Sequence, residues 1–131
     1  LDQYRLFRDS LIAAGITVVA KRTNRLRWHA KVFILKNAND PIFGIIGSSN
    51  MTRSAFGTNN PFNYEADVVL WDKNYTNIDT LCQNQTELTE NDSDDVIYAD
   101  YNIQRNQNRT AMDRLRIIEQ ELDLNNQRLL Q

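Results

Sequence analysis

The sequence predicts an α/β protein, in which a mixed β-sheet is flanked by helices and a further helix lies near the C-terminus. Two segments, residues 3–14 and 106–130, place apolar side chains three or four positions apart, as amphipathic helices do. Between them lie short apolar and β-branched runs separated by turn-forming residues, which is typical of strands. With 131 residues, 41% of them hydrophobic, the chain can form one domain with a modest core.

The first helix and strand follow from local patterns. The helix at residues 3–14 has Tyr4, Phe7 and Leu11 on one face, and Gly15 predicts its end. The run at residues 16–20 is short and β-branched and predicts a strand.

A hairpin is predicted next. Residues 29–35 read as a strand in which His29 and Lys31 share one face, because side chains alternate along a strand. The turn-forming residues 37–41 precede an apolar strand at 42–46, the expected hairpin partner.

The remaining elements lie on either side of a change in composition. Thr52 can cap a short helix to about residue 56, and residues 64–71 form another predicted strand. Residues 72–100 are acidic and rich in Asn, Thr and Gln, and predict irregular structure. The expected organisation is a core at residues 1–71, an acidic polar connection at 72–103 and an amphipathic C-terminal helix at 104–131.

Charge is distributed unevenly along the chain. Residues 1–71 carry a net charge of +4 and residues 72–131 a net charge of −6, so the first part is the better candidate for an anionic partner. Much of the positive charge lies in one cluster, and such a cluster alone is more typical of a solvated loop than of a nucleic-acid surface. Its members are Lys21, Arg22, Arg25, Arg27 and Lys31.

Several classes of protein are excluded or disfavoured by composition. No apolar run approaches the roughly 20 residues that span a bilayer, so no membrane partner is expected. The single Cys82 can form neither an internal disulfide nor a cysteine-based zinc site, and no cofactor is expected. The first residues lack the pattern of a signal peptide, and the expected compartment is the cytoplasm.

The residues that could take part in catalysis or phosphate binding occur in three short segments along the chain. The only histidine, His29, lies two positions before Lys31, which places a nucleophilic imidazole beside a cation. The segment Gly47-Ser48-Ser49-Asn50 offers hydroxyls, an amide and backbone N–H groups that can surround phosphate oxygens. Glu65, before the next strand, can orient an imidazole through a ring N–H.

This ordered series, in which Glu65 ends the segment Asn63-Tyr64-Glu65, resembles the phospholipase D superfamily. The similarity is greatest to its bacterial nuclease branch, which contains metal-independent restriction endonucleases and phospholipase D-like domains attached to helicases. It extends over about residues 3–71. A member of this superfamily has a strand and helix before the first helix seen here, so the sheet is expected to be incomplete at its N-terminal side.

The resemblance implies a role for each motif residue. His29 attacks the phosphodiester phosphorus, and Lys31 and Asn50 bind phosphate. Ser48 supports the phosphate or the imidazole, and Glu65 orients His29. The superfamily uses a second histidine as acid, which this chain lacks. Single-motif members obtain it by dimerising, so the implied assembly is a homodimer with a composite active site.

One departure and two classes of function remain. The superfamily's longer pattern has an Asp five residues after the lysine, where this chain has Lys36. The favoured function is a metal-independent endonuclease that acts on nucleic acid, with DNA expected. The alternative is a non-catalytic module that binds DNA or dimerises within a helicase or restriction system, with a helicase or target-recognition domain as its partner.

Overall fold

In the computed structural model of the protein, residues 2–23, 30–48, 66–87, 101–124 and 126–128 are described. The helices are α1 (Asp2–Ala13), α2 (Thr76–Glu87) and α3 (Ala111–Leu124), and a 3-10 turn covers Gln104–Asn106. The strands are β1 (Lys21–Thr23), β2 (Lys31–Asn37), β3 (Asp40–Gly47), β4 (Asp67–Trp71) and β5 (Asn126–Arg128). None of the helices in these ranges is long and apolar enough to cross a membrane.

The chain divides into two compact units. The first comprises residues 1–31, 46–68 and 121–131, and the second comprises residues 32–45 and 69–120.

The central sheet has the strand order β2-β3-β4. Strands β2 and β3 are joined by a two-residue turn in which Ala38 has a positive φ of 53°. Strand β4 runs antiparallel to β3, with the Asp72 N–H donating to the Ile42 carbonyl at 2.9 Å. The hairpin predicted around residues 37–41 and the α/β class are therefore confirmed.

Helix α1 ends as Gly15 predicts. Gly15 has a φ of +79°, a conformation that glycine adopts without steric cost. Its N–H donates to the Ile12 carbonyl at 2.9 Å, and the Ile16 N–H donates to the Leu11 carbonyl at 3.0 Å. These two bonds define a Schellman motif, which satisfies carbonyls that the helix leaves unpaired.

The strand predicted at residues 16–20 is wrong, because this segment has no regular secondary structure. The strand instead begins at Lys21 and pairs with β5 in antiparallel register, Lys21 facing Arg128 and Thr23 facing Asn126. Lys21 also bonds the Asp123 carboxylate near the end of α3. A strand needs a partner for its N–H and C=O groups. The partner, β5, lies opposite the polar residues 21–23 and not opposite the apolar residues 16–20.

The core of the second unit lies between α3 and β3. Leu115 is fully buried, and Ile42 and Met112 are also buried. A Cβ at Gly44 would come within 2.6 Å of the Leu115 Cδ2, so glycine allows the helix to lie close to the strand. The apolar stripe of this helix does not show whether it packs on its own domain or on a partner. In the structure, α3 packs on its own chain.

The irregular structure predicted for residues 72–100 is wrong at α2. Asn and Thr are mediocre helix formers, so tertiary contacts must supply much of the stability of this helix. The Trp71 Nε1 donates to the Asp79 Oδ1 at 2.8 Å, which anchors the first turn to β4. On the same helix, burial and the charge of Asp79 raise the pKa of the Cys82 thiol, which disfavours its thiolate form.

Helix α3 is shorter than the predicted segment at residues 106–130. Its start is set by a reciprocal cap, in which the Asp113 N–H donates to the Thr110 Oγ1 at 3.0 Å and the Thr110 N–H donates to the Asp113 Oδ2 at 3.0 Å. Hydrogen bonds from Thr110 lower the pKa of Asp113. Beyond the helix, β5 replaces the predicted helical continuation.

Candidate functional site

The ends of three strands meet in the first unit at the candidate phosphate site. Lys31 is the first residue of β2 and is half-buried. Because β2 and β3 are neighbours joined by a tight turn, the start of β2 lies beside the end of β3. Ser48 directly follows β3, and Ala66 directly precedes β4.

Ser48 and Ala66 are joined by two reciprocal hydrogen bonds. The Ser48 N–H donates to the Ala66 carbonyl at 3.1 Å, and the Ala66 N–H donates to the Ser48 Oγ at 3.0 Å. The second bond uses the side chain where a regular ladder would use a carbonyl. It therefore fixes the direction of the Ser48 Oγ at this strand end.

Gly47 allows the two strand ends to approach each other closely. A Cβ at this position would come within 2.6 Å of the Ala66 carbonyl oxygen and would collide with the Asp67 carboxylate. A contact this short is not tolerated between a methyl group and a backbone oxygen. The glycine of the Gly-Ser-Ser-Asn motif is thus required by packing against β4.

His29, Asn50 and Glu65 lie outside the described residues. Each is a near neighbour in the chain of a described residue: His29 is two positions before Lys31, Asn50 two after Ser48, and Glu65 one before Ala66. Of the five predicted site residues, Lys31 and Ser48 are therefore the two whose location is known.

Two further residues at this site have no strong signal in the sequence. Ala66 contributes only backbone groups, and Asp67 contributes a carboxylate next to Gly47. Only their place after Glu65 could have drawn attention to them. Among the described residues, no three His, Cys, Asp or Glu side chains are grouped so that they could hold a metal ion.

Lys36, which stands where the superfamily has an Asp, has a structural role in the second unit. Its Nζ donates to both carboxylate oxygens of Glu119 on α3, at 3.0 and 3.1 Å. Both side chains are about 30% exposed, at 31% and 26%. The pair therefore ties strand β2 to helix α3, and an aspartate at position 36 would face the Glu119 carboxylate instead.

This pair predicts a charge-reversal result. Lys36→Glu and Glu119→Lys should each lower the free energy of unfolding, because each places like charges side by side. The double variant should recover part of the loss, with a coupling of about 0.5–1 kcal/mol in urea denaturation. Gln120→Lys, an exposed change on the same helix, is the control. Additive effects in the double variant would contradict the pairing.

A small antiparallel sheet with helices, and with a lysine and a Gly-Ser motif at its strand ends, is consistent with a phospholipase D-like domain. A family model, described as the NgoFVII restriction endonuclease N-terminal PLD domain, matches residues 11–98, more than half of the chain. The chain therefore belongs to this family. The match continues past Trp71 through α2 and into the acidic segment. Comparison with curated proteins and with solved structures found no match.

Proposed function

We propose that the protein is a metal-independent phosphodiesterase that cuts nucleic acid through a phosphohistidine intermediate. DNA is the expected substrate. The choice of DNA follows the family, whose description is that of a restriction endonuclease domain. The observation that carries the proposal is the reciprocal bonding of Ser48 and Ala66. These bonds hold Ser48, two residues before Asn50, against Ala66, the residue after Glu65. A site built from Asn50 and Glu65 requires these two segments to lie close together.

The proposed first step is attack by a ring nitrogen of His29 on the phosphorus. A nitrogen–phosphorus bond forms, and the bond from phosphorus to the leaving oxygen breaks. The leaving oxygen takes a proton from the partner's His29. Water then attacks the phosphohistidine and gives its proton to the imidazole of the partner's His29. This step regenerates the free His29 and releases a phosphate monoester.

The charge that develops on the phosphate oxygens needs fixed donors. Lys31, at the start of β2, supplies a cation, and Asn50 supplies an amide N–H. Preorganised donors of this kind stabilise the transition state more than the ground state. Because the protein supplies this charge itself, the reaction needs no metal ion.

The proposed mechanism takes its second histidine from a second copy of the chain, since this sequence contains one. We therefore propose a symmetric homodimer in which both His29 residues face one phosphate across the two-fold axis. For both rings to reach one phosphorus, they should lie within about 7 Å of each other. Selection of a DNA site would be the task of a helicase or target-recognition domain.

The direct test is plasmid nicking by purified chain in excess EDTA. Conversion of supercoiled plasmid to the open-circular form should survive the chelator at the rate seen without it. The stability of the covalent protein–phosphate intermediate identifies the nucleophile. A phosphohistidine is acid-labile, whereas an acid-stable, base-sensitive intermediate would point to another nucleophile. DNA binding without any cleavage would favour the non-catalytic module instead.

Mixed dimers provide a prediction specific to the composite site. When wild-type chain is mixed and re-equilibrated with His29→Ala chain, cleavage should fall as the square of the wild-type fraction, because only dimers with two imidazoles complete the reaction. An equal mixture should retain about one quarter of the activity. Retention of one half would mean that each chain works alone, and would contradict the composite site.

A further inference from the structure

The loop at residues 101–110, between the acidic segment and α3, has an unusual composition. Between Tyr101 and Met112 there are two arginines and no acidic residue, in a part of the chain with a net charge of −6. This loop lies beyond the residues that the family model matches. It belongs to the second unit, whereas the candidate phosphate site belongs to the first.

Internal hydrogen bonds hold the loop in one conformation. Asn102 Oδ1 accepts from the Arg105 N–H at 2.8 Å, and Asn102 also accepts at its carbonyl from the Asn106 side chain at 2.8 Å. The Asn108 N–H donates to the Ile103 carbonyl at 2.9 Å. From α3, the Arg114 Nη2 donates to the Asn106 carbonyl at 3.2 Å.

Two adjacent residues of the loop have left-handed backbone conformations. Gln107 has a φ of 60° and Asn108 a φ of 56°, although neither is glycine. Residues with side chains rarely adopt this region, and such conformations often occur at functional loops. The hydrogen bonds on either side hold the two residues in place.

Most of the exposed side chains of this loop carry guanidinium or amide groups, and the exceptions are Ile103 and Thr110. The guanidinium and amide groups outside the first turn of the loop belong to Gln104, Arg105, Gln107, Asn108 and Arg109. Arginine binds phosphates through charge and a planar set of donors, and asparagine and glutamine also bond phosphates and base edges. Within the described part of the chain, neither Arg105 nor Arg109 pairs its guanidinium with a carboxylate.

We propose that this loop is a second nucleic-acid contact, in which Arg105 and Arg109 bind phosphates of duplex DNA outside the cleavage site. The choice of DNA as partner rests on the proposed function. Because the loop is already ordered, little conformational entropy is lost when it binds. Its phosphate contacts would add affinity for any DNA sequence, and its amide side chains would lie next to the duplex.

The test compares salt dependence of binding to a 30-base-pair duplex, by fluorescence anisotropy with the full chain. In the double variant Arg105→Gln/Arg109→Gln, affinity should fall about tenfold, and the magnitude of the slope of log K against log salt should fall by about 2. Arg105→Lys/Arg109→Lys should keep the slope. The KM for cleavage should rise while kcat at saturating DNA stays unchanged.

The control Arg5→Gln/Arg8→Gln removes the same charge from α1 in the other unit. If both double variants weaken binding equally, net charge and not the loop is responsible, and the inference fails. If the loop variant binds and cleaves like wild type, the inference fails while the proposed function stands. If the wild-type chain neither binds nor cuts DNA, both fail. Circular dichroism melts of each variant would test whether it is folded.

Discussion

The variant His29→Ala is expected to lose all detectable cleavage while it remains folded. His29 is the only imidazole in the chain, so the variant dimer would lack both the nucleophile and the acid. Plasmid nicking over a long incubation, with a detection limit about 10⁴-fold below the wild-type rate, measures the loss. Binding of duplex DNA by the variant should persist, because Lys31 and Asn50 remain.

The matched control for this variant leaves His29 in place and changes the aromatic residue before it in the sequence. Trp28→Phe alters the residue next to His29 without removing an ionisable group. It should cleave at a rate close to that of wild type. Cleavage by rigorously purified His29→Ala chain would instead show that another residue is the nucleophile, and would overturn the phosphohistidine mechanism.

Lys31→Ala is expected to lower kcat by about 10²-fold or more. Loss of one preorganised donor at a developing anionic charge costs about 3 kcal/mol of transition-state stabilisation. Single-turnover cleavage with excess enzyme gives the rate of the chemical step, free of product release. Lys31→Arg should recover part of the rate, because it keeps the charge but changes the donor geometry.

Lys36→Ala provides the matched control on the same strand. Lys36 lies five residues further along β2 and bonds Glu119, so its removal should lower stability slightly and leave the chemical step unchanged. If Lys31→Ala cleaves like wild type, or if both lysine variants lose rate equally, Lys31 does not bind the reacting phosphate.

The order of the motif residues was informative at the sequence level because their spacing reflects the topology of the sheet. A histidine and lysine two apart at one strand, a Gly-Ser motif after its hairpin partner and a glutamate before the next strand imply three neighbouring strand ends. The structure confirms the hairpin and joins Ser48 to Ala66. The roles of His29, Lys31, Ser48, Asn50 and Glu65 stay predictions.

Other parts of the site could not be read from the sequence. The Ser48 hydroxyl accepts a backbone N–H from across the strand pair, which depends on the register of β3 against β4. Register is set by the hydrophobic patterns of both paired strands and by their connection, so the sequence of one strand alone does not give it. For the same reason, the steric need for glycine at position 47 becomes visible only beside Asp67.

Local signals along the chain account for several elements and for the family resemblance. Gly15 ends α1, the turn residues near position 38 form a hairpin, and the apolar stripe of residues 112, 115 and 118 forms a helix, because each signal acts within a few residues of itself. Other elements depend on partners that lie far away in the chain. Helix α2 forms in a polar segment that is anchored by Trp71, and β1 forms at residues 21–23 because β5, about a hundred residues later, pairs with it there. Backbone hydrogen bonds between strands and packing between elements lie outside the reach of local propensity, so only the folded chain fixes them.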